Sequence, residues 1–326
     1  LKKLTLILLI LLLAIPIMSG CDSKDSNKAT VINGIEKQEE IKTMSYDGSL
    51  ILKLDFSATT NSMMTSYLQG LSDLEFKFFG KENTEAQQSE MELSVNSEYQ
   101  EMELAADIPI VFKDNVAYIK LPDKFDGLLQ MEDKEYIAMD LNQTNEEYDQ
   151  EQALKEKTDL LKSIVNGIDE EALSKEDVKE YPLTNSTTGE AISINITQDN
   201  YKKIFAGIYA EAGPSIIELL ESYSVTESQK EQTEQLKAKL SDKEELSKLI
   251  KDLDEKLVIN NFKLTSVYDD KGYQRKTVLL ADLDIYVEEL GQVGVEIIYD
   301  ININEINEEV IFNLPIPSQN IIKELN

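Results

Sequence analysis

The chain predicts an α+β fold, a curved and largely antiparallel sheet with helices inserted between an N-terminal and a C-terminal group of strands. Three observations carry this. Apolar residues alternate with period two from Tyr46 to Leu141, recur at helical spacing through most of 150–257, and return to period two from Phe262 onward. The strand predicted over Gln274–Val287 is long enough to require strong curvature. No fixed-period repeat runs through the chain, which argues against a solenoid or propeller.

In chain order, Ile35, Ile41 and Met44 suggest a helix over Val31–Met44. Leu50, Leu52, Leu54 and Phe56 then share one face of a strand over Tyr46–Ser57, with Lys53 and Asp55 on the other. The same alternation predicts strands at Leu74–Phe78, Met91–Val95, Leu104–Phe112, Val116–Leu121 and Glu135–Leu141. Lys113-Asp114-Asn115 reads as a tight hairpin turn. Asn61–Gly70 is expected to be a loop or a turn or two of helix.

Leu154, Leu161 and Val165 predict a helix over Gln150–Asn166, with Gly167 as its C-cap. A strand follows at Ala191–Thr197. Ile204, Phe205, Ile208 and Tyr209 predict a helix over Asp199–Ala212, broken by Gly213-Pro214 and resumed through Ile216, Ile217 and Leu220. Ser241-Asp242-Lys243-Glu244 is a capping box that starts another helix, with Leu246, Leu249, Ile250, Leu253 and Leu257 as its buried stripe. Phe262–Val267, Gln274–Val287 and Val293–Ile303 then form a three-stranded meander.

The first residues set the location. Lys2 and Lys3 precede an apolar run, Leu4–Ile17, that is shorter than the ~20 residues a membrane-spanning helix needs. The run ends at Met18-Ser19-Gly20-Cys21, and Cys21 is the only cysteine in the chain. This stretch resembles the lipobox of bacterial lipoproteins, in which lipid is attached to the cysteine and the preceding segment is removed. The resemblance implies a signal peptide over 1–20, a lipidated Cys21 with a polar tether to residue 45, and one domain over 46–326. Covalent lipid on Cys21 would then anchor the chain at the outer face of the membrane, at ~0.8 kcal/mol per buried methylene. The excess of lysine over Arg275, the single arginine, suits an AT-rich, Gram-positive source.

The formal charge is −30, and −32 once Lys2 and Lys3 are lost. Such a surface repels polyanions, so no nucleic-acid partner is expected. With no histidine and a single thiol committed to lipid, His-based triads and His-containing metal sites are excluded. Ser-x-x-Lys, Gly-x-Ser-x-Gly and Gly-rich phosphate loops are absent from the sequence. No enzyme and no cofactor are expected. Asp140, Asn142, Thr144 and Glu151 fall at positions 1, 3, 5 and 12 of a calcium-binding loop, but Asn145 stands where that loop needs glycine. The reading preferred for it is a solvated loop.

Strands, then helices, then a closing meander behind a lipobox resemble the LolA/LppX-like lipoproteins. The stretches that carry this are Asp114-Asn115-Val116-Ala117-Tyr118-Ile119-Lys120-Leu121-Pro122 and Asn302–Pro317 with Phe312-Asn313-Leu314-Pro315. The resemblance implies an incomplete barrel whose helices cover an apolar concave face that binds acyl chains. Leu50, Leu52, Leu54, Phe76, Phe78, Leu279, Leu283 and Ile297 are then the candidate lining of a cavity for a lipid or other hydrophobic ligand, with Met63, Met64 and Tyr67 as an adaptable lip. The charged segment Thr226–Leu257 departs from that family. It supplies the competing expectation, a surface protein that docks an envelope partner through Glu234, Lys237, Lys239, Glu244, Glu245, Lys248 and Lys251.

Overall fold

A computed structural model describes residues 26–58, 72–99, 102–122, 134–140, 150–183, 189–222, 231, 233–234, 237, 243–288 and 290–324. Its strands are β1 (Thr43–Asp55), β2 (Asp73–Asn83), β3 (Gln88–Tyr99), β4 (Met102–Lys113), β5 (Val116–Lys120), β6 (Tyr136–Asp140), β7 (Leu173–Glu176), β8 (Glu190–Asn195), β9 (Leu257–Tyr268), β10 (Gln274–Val287), β11 (Gly291–Asn304) and β12 (Ile322–Glu324). Helices are α1 (Asn27–Gln38), α2 (Gln150–Gly167), α3 (Tyr201–Ser222) and α4 (Lys243–Asp254).

All twelve strands form one sheet in the order β12-β6-β5-β4-β3-β2-β1-β11-β10-β9-β8-β7. The predicted N-terminal and C-terminal groups therefore meet at β1 and β11, which pair antiparallel from Ser45 opposite Asn304 to Asp55 opposite Gly294. Every pairing is antiparallel except β12 with β6. The order runs from edge to edge without returning, so the sheet stays open rather than closing into a barrel. Asp114 (φ 51°) and Asn115 (φ 64°) make the two-residue turn between β4 and β5, where Lys113 pairs with Val116. Two successive left-handed residues give the turn a twist that matches the strands, and Asp and Asn tolerate that conformation.

The alternation of β1 settles which face is apolar. Leu50 lies opposite Phe76 and Tyr299, and Leu52 opposite Leu74 and Ile297. One buried cluster unites Val31 and Ile35 of α1, Leu160, Leu161, Ile164 and Val165 of α2, and Ile204, Ala212 and Ile216 of α3 with Leu264, Leu279, Leu283, Ile285, Val293 and Val295 of β9–β11. The helices thus cover the half of the apolar face built by β8–β11 and the adjoining part of β1.

Four local expectations change. The N-terminal helix ends at Gln38, and Met44 belongs to β1. It begins at Asn27, inside the stretch read as a polar tether, because Ser26 caps it by accepting from Ala29 N–H at 3.1 Å. Val31 and Ile35, one turn apart, are both wholly buried, which at about 1.5–3 kcal/mol per side chain outweighs the polar residues around them. Gly167 is the last residue of α2 and contacts α3: a Cβ there would meet Gly207 backbone atoms at 2.5 Å. Pro214 lies within a continuous α3, with Ala212, Ile216 and Ile217 on either side of it buried. Leu257 opens β9 rather than closing the stripe of α4.

On the other face polar residues predominate, with ion pairs such as Lys53 to Glu296 at 2.9 Å, around an apolar cross-strand row of Ile51, Ile298 and Leu280. The chain after β11 crosses this face. Glu90, 4 % exposed, accepts from the N–H groups of both Asn313 and Leu314 at 2.7 Å, and Lys81 donates to the Ile311 carbonyl at 2.6 Å. Ile322 then packs with Tyr136 and Ala138 as β12 pairs with β6.

Candidate ligand-binding face

Beyond the helices the apolar face continues across β1 and β2. Leu50, Phe76 and Phe78 are half-buried there and lie outside the helix-covered cluster, whereas Leu52, Leu54 and Ile297 pack against its margin. Leu279 and Leu283 lie inside that cluster, 2 % and 4 % exposed, so these two candidates are core residues beneath the helices. All eight share one face, but only three lie beyond its covered part.

The part that no described helix covers is floored by the rings of Tyr46 and Phe78, with Tyr299 at the margin of the buried cluster. Tyr46 and Phe78 have ring centroids 6.4 Å apart at 54°, and Phe78 stacks on Tyr299 at 6.1 Å and 24°. Two glycines make this possible. A Cβ at Gly80 would stand 2.3 Å from the Tyr46 ring, and one at Gly48 would stand 2.6 Å from the Phe78 ring. The rings therefore lie directly over backbone that lacks a side chain, a cross-strand arrangement that shields it from water.

Among the described residues of β1 and β2, one charged side chain shares this face. Glu82 is two residues beyond Gly80 on β2, hence on the same side of the sheet. Burial pushes its carboxyl above the usual 4.5, against the opposing pull of Lys157 on α2. Among the described residues its carboxyl forms no hydrogen bond. Burial, aided by the charge of Glu82, pushes the Tyr46 phenol up to about 12. The Tyr299 phenol also rises to about 12, through burial first and then its neighbours Tyr46 and Asp300. Both phenols stay neutral at physiological pH.

Tyr46, Glu82 and Tyr299 were not among the residues singled out from the sequence. A signal existed for Glu82, since a carboxylate in phase with Phe76 and Phe78 breaks the apolar alternation of its strand. Met18, Ser19, Gly20 and Cys21 lie outside the described residues, as do Met63, Met64 and Tyr67. Of the calcium candidates, Asp140 ends β6, Asn142 and Thr144 are not described, and Glu151 is placed on α2 without a described side chain. Among the described residues no group of three or more carboxylates converges on a metal-sized site. Glu234, Lys237, Glu244, Lys248 and Lys251 are exposed, while Lys239 and the Glu245 side chain are not described. Among the described residues no helix is long and apolar enough to cross a membrane.

The class of protein defined by these residues is an open, mostly antiparallel twelve-stranded sheet with helices on one face. No protein-family model and no curated protein matches the sequence. Among solved structures, LprF from Mycobacterium bovis is similar to this chain, with 9% identity and a TM-score of 0.26 over 86% of this chain and 92% of that one. The architecture described above stands on its own strand pairings.

Proposed function

We propose that this chain is a membrane-anchored, extracytoplasmic lipoprotein that binds or carries a lipid or other hydrophobic ligand and catalyses no reaction. The observation that supports it best is the continuation of the apolar face past the helices, where Leu50, Phe76 and Phe78 stay half-buried beside Tyr46 and Tyr299. An apolar surface with a few polar groups at one end is the usual form of a site for an amphiphile. Acylation of Cys21 would hold that face near the bilayer that supplies the ligand. The alternative, docking of an envelope protein on the charged helical segment, has exposed charges of both signs as its support, and these are the ordinary property of a solvated helix.

Two measurements test the proposal. Mass spectrometry of gently purified protein is expected to find co-purifying lipid, and a fluorescent fatty acid or alkyl probe is expected to bind saturably. Absence of both removes the carrier reading. Separately, Cys21→Ser is expected to move the protein from the membrane fraction to the soluble one, and a variant that stays with membranes would overturn the anchor.

A further inference from the structure

We propose that the aromatic end of this face receives the cationic headgroup of an amphiphile, with the apolar tail directed along Leu50 and Phe76 toward the helix-covered core. This rests on the ligand-binding reading and adds the charge of the ligand. Tyr46, Phe78 and Tyr299 form a contiguous row of rings, 6.4 and 6.1 Å between successive centroids. Aromatic faces carry negative potential and attract cations, quaternary ammonium groups in particular.

Glu82 supplies the formal charge. It lies at the Tyr46 end of the row, close enough for its charge to act on the Tyr46 phenol, and its carboxyl has no hydrogen-bond donor among the described residues. Among the described residues the cation that acts on it is Lys157 of α2, whose side chain is exposed and therefore able to turn away. An anionic headgroup placed here would meet Glu82 and a chain of net charge −30. From the rings the tail has a path, since Leu50 pairs with Phe76 and Tyr299, and the next pair, Leu52 with Leu74 and Ile297, reaches the margin of the buried cluster.

The test uses the full chain carrying Cys21→Ser, titrated calorimetrically below each critical micelle concentration with three probes of equal chain length: dodecyltrimethylammonium, dodecanoate and uncharged dodecyl maltoside. The ammonium probe is expected to bind about tenfold more tightly than dodecanoate, and Glu82→Gln to remove most of that advantage by weakening the ammonium probe more than the maltoside. Phe78→Leu keeps apolar area but deletes a ring, and is expected to weaken the ammonium probe more than the maltoside. Dodecanoate binding as tightly as the ammonium probe, or an ammonium affinity indifferent to both substitutions, overturns the headgroup assignment and leaves the carrier reading standing. Failure of all three probes to bind overturns both.

Discussion

Glu82 is a carboxylate on an apolar face, and this has a cost in stability whose sign is defined. Because burial raises its pKa, the folded chain keeps the proton at a pH where the unfolded chain has already released it. The folded state therefore loses stability as pH rises from the ordinary 4.5 through the raised value. Glu82→Gln removes the ionisation, so its melting temperature at pH 7 is expected to exceed that of the wild type, with the difference shrinking toward pH 4. Thermal melts of the two proteins at both pH values check this, and a Glu82→Gln protein that melts lower at pH 7 contradicts it. A residue that weakens the fold at neutral pH is the kind expected where binding rather than packing sets its identity. The two glycines under the rings should differ from each other. The three atoms nearest a Cβ at Gly80 all belong to the Tyr46 side chain, which can swing away, whereas a Cβ at Gly48 meets, besides the Phe78 ring, the Asp300 carbonyl oxygen at 2.4 Å, which cannot. Urea melts are expected to show a loss of about 1–3 kcal/mol for Gly48→Ala and a smaller one for Gly80→Ala.

Elements were legible where a single periodicity ran uninterrupted. Leu279, Ala281, Leu283 and Ile285 alternate without a break, and β10 has the predicted ends, Gln274 and Val287. Legibility failed where tertiary contact overrode a local signal. Gly213-Pro214 reads as a helix break, yet α3 continues because Ala212, Ile216 and Ile217 are all held in apolar surroundings. From Asn27 onward the tether reading failed for a related reason, since Asn27 and Lys28 are polar but reach backbone carbonyls of Leu173 and Asn166, 3.2 and 3.0 Å away. Neither partner can be inferred from sequence spacing. Gly167 was read as a cap because glycine ends many helices; its contact with Gly207 instead lets two helices approach backbone to backbone. A Cβ on Gly207 would stand 2.1 Å from the Gly167 carbonyl oxygen, so Gly207→Ala must push α2 and α3 apart. The expected loss is about 2 kcal/mol or more by chemical denaturation, and a neutral result would show that the helices can separate without disturbing the core.

At the scale of the whole molecule the two strand groups are joined twice. The first junction, β1 with β11, lies within the sheet and follows from two long apolar alternations that can bury the same face. The second is the C-terminal segment, which leaves β11, crosses the polar face over β2 and β3, and ends as β12 beside β6, across the sheet from where it began. Within residues 305–321 Val310, Phe312, Leu314 and Ile316 alternate, but Pro315 and Pro317 lack the N–H donors of a paired strand, so only the contacts define the path, and the candidate binding face is more legible than the strap behind it. Glu90 is the fixing point: it is buried, and its carboxyl satisfies the N–H groups of Asn313 and Leu314 together while Lys81 stands 3.7 Å away. Glu90→Ala leaves two N–H donors without an acceptor, a loss of about 1–3 kcal/mol. That loss should be local in origin. Hydrogen exchange is expected to accelerate first at Asn313 and Leu314, then in β12 and β6, because β12 reaches β6 only through the strap, while β9 and β10 beneath the helices keep their protection until global unfolding. Uniform acceleration across all strands would mean instead that the strap and the helix-covered core open as one unit.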